Sequence, residues 1–168
     1  MGEIVIRQAE EAEIPIIEEI LSDTVVWLGE MEQQLWGADE VLWEALSKKY
    51  QINDFYIAYN SGIPLGCMVI VDYDPFLWPD IRKGESLFAH KVAVKKIARK
   101  TGVSDALMDY FKEQGRIRQV QTIRLDTHAL RPKLRAFYEG HGFILVEERT
   151  FNVRDYQFFT AFYCYNIQ

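Results

Sequence analysis

The chain has 168 residues, 49% hydrophobic and 26% charged, which excludes a disordered polypeptide and fits one globular domain spanning residues 1–168. Its net charge of -6 and pI near 5.1 argue against general nucleic-acid binding, which rests on neutralising phosphates. No apolar run approaches a membrane span, and Met1-Gly2-Glu3-Ile4-Val5 lacks the basic then apolar run of a signal peptide, so the sequence reads as a cytoplasmic protein without a membrane partner.

In chain order, Ile4, Ile6 and Gln8 alternate with Val5 and Arg7 as in a short strand. Pro15 suits the first turn of a helix whose stripe is Ile16, Ile17, Ile20, Leu21 and Val25. A second helix is expected from Ala38 to Lys49. Phe55 to Tyr59 and Leu65 to Tyr73 read as strands joined by the turn Asn60-Ser61-Gly62. Asp74 to Asp80 is expected as a loop with two prolines and exposed aromatics. Ser86 to Val94 is a strand. A helix follows Gly102, with Val103, Ala106, Leu107, Tyr110 and Phe111 on one face.

Thr122 to Asp126 is then a strand, Lys133 to Glu139 a short helix, and Leu145 to Val153 with Gln157 to Ile167 a closing pair of strands. The order β-α-α-β-β-β-α-β-α-β-β predicts an α/β fold of the mixed, α+β kind. Strands 86–94 and 122–126 should be parallel, because a helix connects them. Cys67 and Cys164 each lie in apolar runs and are expected as buried free thiols.

The chemically loaded stretch is Val92 to Leu107. Five basic residues and no acid lie between Lys91 and Lys100, in a chain that is acidic as a whole. They lead through Gly102 into a helix. A helix start leaves backbone N–H groups without intrahelical partners and carries partial positive charge. Together these make an anion site suited to a pyrophosphate. Gly102 allows close backbone approach, and Ser104 is small and carries a hydroxyl. Taken alone, Arg-x-x-Gly-x-Ser equally suits a solvated basic loop.

Residues 86 to 115 resemble the central motif of the GNAT superfamily of acyltransferases: a strand, then Gln/Arg-x-x-Gly-x-Gly/Ala at a helix start. Here it reads Arg99-Lys100-Thr101-Gly102-Val103-Ser104, with Ser104 in place of Gly or Ala. A second stretch, Leu134 to Phe143, resembles the family's short helix carrying a tyrosine, Tyr138, and ending in Gly142-Phe143. Arg131 stands where the family often has Asn. The resemblance implies a mixed sheet of six to seven strands flanked by about four helices. It implies acetyl-CoA as the acetyl donor and an amine as the acceptor.

By the same resemblance, the backbone of Val92, Ala93 and Val94 binds the pantetheine arm like an added strand. Arg99, Lys100, Thr101, Gly102, Val103 and Ser104 hold the pyrophosphate, and Arg131 reaches a phosphate. Tyr138 is the candidate general acid for the CoA thiolate. The strand glutamate that serves several family members as base is replaced by Phe88. His90 shares a strand face with Phe88 and Val92 if no bulge intervenes, and its imidazole suits proton transfer. The sequence has no spacing typical of a metal site.

The acceptor side is expected to be walled by Trp27, Met31, Trp36, Phe76 and Trp78. Trp27 and Trp36 also suit a homodimer contact. The leading function is acetylation of a small-molecule primary amine by direct attack in a ternary complex. The alternative is a non-catalytic acyl-CoA-binding sensor of the same fold.

Overall fold

The computed structural model describes residues 2–30, 36–153 and 155–168. The strands are β1 (Ile4–Gln8), β2 (Phe55–Asn60), β3 (Ile63–Val71), β4 (Ser86–Val94), β5 (Thr122–His128), β6 (Ile144–Val153) and β7 (Tyr156–Asn166). The helices are α1 (Ile14–Glu30), α2 (Trp43–Leu46), α3 (Val103–Ile117) and α4 (Pro132–Gly140). One mixed sheet runs in the order β1-β2-β3-β4-β5-β7-β6. The chain divides into two compact units, Met1–Ile70 with Lys91–Tyr110 and Val71–His90 with Phe111–Gln168.

In the first unit, β1 and β3 flank β2 in antiparallel register, from Ile4↔Asn60 to Gln8↔Tyr56 on one side and from Phe55↔Val69 to Asn60↔Ile63 on the other. Ile17, Ile20, Leu21, Val25 and Leu28 of α1 are buried, the three-and-four spacing expected of a helix with one inward face.

The helix expected over residues 38–49 is broken. Ala38–Val41 forms a single 3-10 turn, Leu42 is extended (φ -85°, ψ 149°), and only Trp43–Leu46 is α-helical. The cause lies far away in sequence. The Glu18 carboxylate on α1 accepts the Trp43 backbone N–H at 2.8 Å, so a new helix starts there.

In the second unit, β4 and β5 are parallel as expected, paired from Ser86↔Thr122 to Ala89↔Leu125. β5 continues to His128 along β7, two residues beyond the expected end, and β7 pairs with β6 through a register shift between Leu145 and Glu147. Trp78, expected as an exposed loop aromatic on the acceptor wall, is 5% exposed and packs in the core with Phe88 and Phe162. Its ring lies 5.1 Å from Phe162, edge to face, which favours this burial over solvent exposure. Cys67 is buried, Cys164 is half-buried, and both are free thiols. Among the described residues, no helix is long and apolar enough to cross a membrane.

Candidate active site

The basic turn of the first unit begins where β4 ends. Lys96–Ala98 form a 3-10 turn, and Thr101 donates its hydroxyl to the Ala98 carbonyl. Lys100 (φ 60°) and Gly102 (φ 90°) are both left-handed, and α3 starts at the next residue, Val103. Two left-handed residues in three reverse the chain so that the first turn of α3 follows the basic loop directly. Gly102 is the residue type that meets this geometry at least cost, and its carbonyl accepts the Ala106 N–H at 3.0 Å, the first ladder bond of α3. The N–H groups of the first helical turn have no intrahelical acceptor and point out of the helix start.

Four of the five basic side chains are held by the chain itself. Lys95 Nζ lies 2.8 Å from Glu19, and Lys96 Nζ lies 3.6 Å from Glu30. The Lys96 backbone N–H donates to Asp23 at 2.8 Å. Lys91 Nζ sits 4.8 Å from the centroid of the Trp36 ring. The Arg99 guanidinium sits 4.6 Å from that of Trp27. Acids of α1 and two indoles therefore fix this loop. Trp27, expected on the acceptor wall, supports Arg99 instead, because a delocalised cation is favourably placed over an indole face. Trp36 likewise stands under a lysine of the basic segment.

Within β4, Lys91 is left-handed (φ 51°). A single residue of that conformation inside a strand is the mark of a bulge. It corrects the alternation expected of His90 with Val92, since the strand changes phase between them. The parallel ladder with β5 has already ended at Ala89↔Leu125.

In the second unit, three polar side chains from three separate elements converge. Asp74 from the loop after β3, His90 from β4 and Asp126 from β5 present donor atoms all within 4.8 Å of one another. His90 Nε2 lies 3.2 Å from Asp74 Oδ2, both side chains largely enclosed. This is ion-pair distance without hydrogen-bond alignment, and Oδ2 receives no hydrogen bond among the described residues. Burial pushes the Asp74 carboxyl up, but the neighbouring imidazole and the backbone N–H groups of Leu77 and Phe76 outweigh it and hold it below the usual value.

Tyr138 on α4 is 5% exposed, with its ring against Phe137, Phe143 and Tyr163. Burial first, and the Asp126 carboxylate second, raise its phenol above the ordinary range, so its proton is retained at any working pH.

The family pattern described as acetyltransferase (GNAT) domain matches residues 51–145, more than half of the chain. The chain belongs to the GNAT family. No curated protein matches the sequence. Solved structures share the fold at low identity. A GNAT-family acetyltransferase from Listeria monocytogenes 4b F2365 is 17% identical with a TM-score of 0.73, covering 98% of this chain and 95% of its own. YncA from Salmonella typhimurium, solved with its cofactor acetyl-CoA, is 15% identical with a TM-score of 0.67, covering 98% and 94%. The ribosomal-protein-alanine N-acetyltransferase of Brucella melitensis is 20% identical with a TM-score of 0.71, covering 96% and 99%. The seven-stranded mixed sheet and four helices are the GNAT fold expected from the sequence.

The remaining residues named for a GNAT site are placed as follows. Val92 and Val94 are half-buried and Ala93 is buried, their backbone continuing β4 past the bulge. Arg131 is the N-cap of α4, half-buried, and burial lowers its pKa. Its charge, after burial, also keeps the His128 imidazole below its usual value. Phe76 is 74% exposed and stacks on Phe151 at 6.1 Å. Met31 lies outside the described residues.

Two residues escaped the sequence reading. Asp126 carries no local signal beyond its place on a strand. Gly66 is the other: a Cβ there would meet both the Ala93 carbonyl and the Val103 side chain at 3.0 Å. It lets β3 run close under the start of α3, and a glycine inside a strand is the signal for such an approach.

Proposed function

We propose that this GNAT protein is a cytoplasmic N-acetyltransferase that moves the acetyl group of acetyl-CoA to a primary amine of a small molecule, by direct attack in a ternary complex. The observation that carries the reading is the turn Arg99–Ser104, in which left-handed Lys100 and Gly102 deliver the chain into the first turn of α3. That turn fits a pyrophosphate: the N–H end of a helix, no Cβ at Gly102, and a basic segment beside it. The two free thiols support a reducing compartment.

Arg99, Lys100, Thr101, Gly102, Val103 and Ser104 would hold the pyrophosphate, Arg131 a further phosphate, and the backbone of Val92, Ala93 and Val94 the pantetheine arm. Acetyl-CoA, when bound, supplies a thioester carbonyl open to a nucleophile. The neutral amine attacks that carbon, and His90 accepts the proton the nitrogen must lose. Tyr138 holds a proton at its hydroxyl and gives it to the departing sulfur as the C–S bond breaks. Exchange with solvent then restores both side chains. Trp36 and Phe76 are proposed to face the acceptor.

The test is thiol release from acetyl-CoA over a panel of amines, with wild type and Tyr138→Phe. Release with at least one amine, slowed in the variant, supports the enzyme. Acetyl-CoA binding with no release for any amine favours a sensor.

A further inference from the structure

Resting on that reading, we propose that Asp74 is a positioning residue for His90. The carboxylate is set by its own turn. Oδ1 accepts the Leu77 N–H at 3.1 Å, and the Asp74 carbonyl accepts the Trp78 N–H at 2.9 Å. An aspartate that folds its side chain back onto the following backbone is held in one rotamer. The turn is anchored in turn by Trp78, buried against Phe88 at 6.0 Å and Phe162 at 5.1 Å. Phe88 precedes His90 by two residues on β4, so one aromatic cluster fixes both partners.

With Oδ1 committed to the turn, Oδ2 is the oxygen left for His90. It is buried, accepts no well-aligned hydrogen bond among the described residues, and lies 3.2 Å from Nε2. An enclosed carboxylate oxygen is costly unless a proton donor faces it. The low-energy state therefore keeps a proton on Nε2, directed at Asp74. Held in this orientation, His90 is the group that accepts the proton of the attacking amine. The Nε2–Oδ2 bond tightens as the imidazolium forms, as catalytic hydrogen bonds lengthened in the free enzyme do. Asp126, the third member of the cluster, faces the same group and couples it electrostatically to Tyr138.

The experiment is a double-mutant cycle on kcat with Asp74→Asn, His90→Ala and the pair. Asn keeps an acceptor oxygen for the Leu77 N–H, so the turn survives, and thermal melting checks this. Asp74→Asn is expected to lower kcat about tenfold or more with KM for acetyl-CoA changed less than about twofold. In the His90→Ala background it should change kcat less than about twofold. Equal effects of Asp74→Asn in both backgrounds, or none in either, would overturn the proposal.

A nitrogen-15 imidazole NMR spectrum supplies a second readout that needs no turnover. Wild type is expected to show His90 as the Nε2–H tautomer, and Asp74→Asn a mixture. Identical spectra would also overturn it. Absence of thiol release in wild type would instead sink the transferase reading and leave the NMR comparison to decide the role of Asp74.

Discussion

The Arg99 guanidinium rests 4.6 Å from the centre of the Trp27 ring, so α1 supports the loop that follows β4. Trp27→Ala removes this contact, worth about 0.5–1 kcal/mol where partly solvated. The dissociation constant for acetyl-CoA should rise about two- to fivefold, read by isothermal titration, with little change in kcat.

Gly102→Ala tests the turn itself. An added Cβ would meet nothing within 4 Å, so the cost is that of holding φ at 90° in a residue with a side chain. That cost is about 1–3 kcal/mol. A lower melting temperature together with weakened acetyl-CoA binding is expected. The same loss of stability with unchanged binding would separate the turn from the ligand.

Tyr138→Phe keeps the ring that packs on Phe137, Phe143 and Tyr163 and removes only the hydroxyl. Melting should shift little. Because the phenol is argued to act only as the bond to sulfur breaks, kcat should fall on the order of a hundredfold while KM for acetyl-CoA stays nearly constant.

A pH prediction comes from the Arg7–Glu13–Tyr59 group. Glu13 is nearly buried and would be pushed up by that burial, but hydrogen bonds from Arg7 and Tyr59 outweigh it and hold its pKa low. Its folded pKa lies below the unfolded value, so its contribution is complete above about pH 4.3 and is lost as pH falls through the folded pKa. Glu13→Gln should therefore lower the melting temperature at pH 7 and converge with wild type as pH falls through the lowered folded pKa. A constant gap across that range would show that charge is not the cause.

How much of this was legible depended on how local each cause is. The turn from Arg99 to Ser104 and the strand on either side of Phe88 are written in neighbouring residues, and both appeared where the sequence placed them. The break at Leu42 is not local: it arises from Glu18, far back on α1, capping Trp43. Left-handed Lys91 carries no glycine or asparagine to announce its bulge, so the phase of His90 was lost with it. Trp78 read as exposed because a proline-flanked loop is usually solvated, whereas Phe88 and Phe162 offered it a buried site. The meeting of Asp74, His90 and Asp126 is a product of sheet topology, which brings the loop after β3, β4 and β5 together and leaves no spacing pattern to find.

The account turns on backbone amides at the start of α3 gripping a diphosphate. Equilibrium titration of the purified protein with acetyl-CoA measures this most directly. Saturable one-to-one binding is expected, weakened by Gly102→Ala and competed by free CoA. No saturable binding of acetyl-CoA or any other acyl-CoA would contradict it.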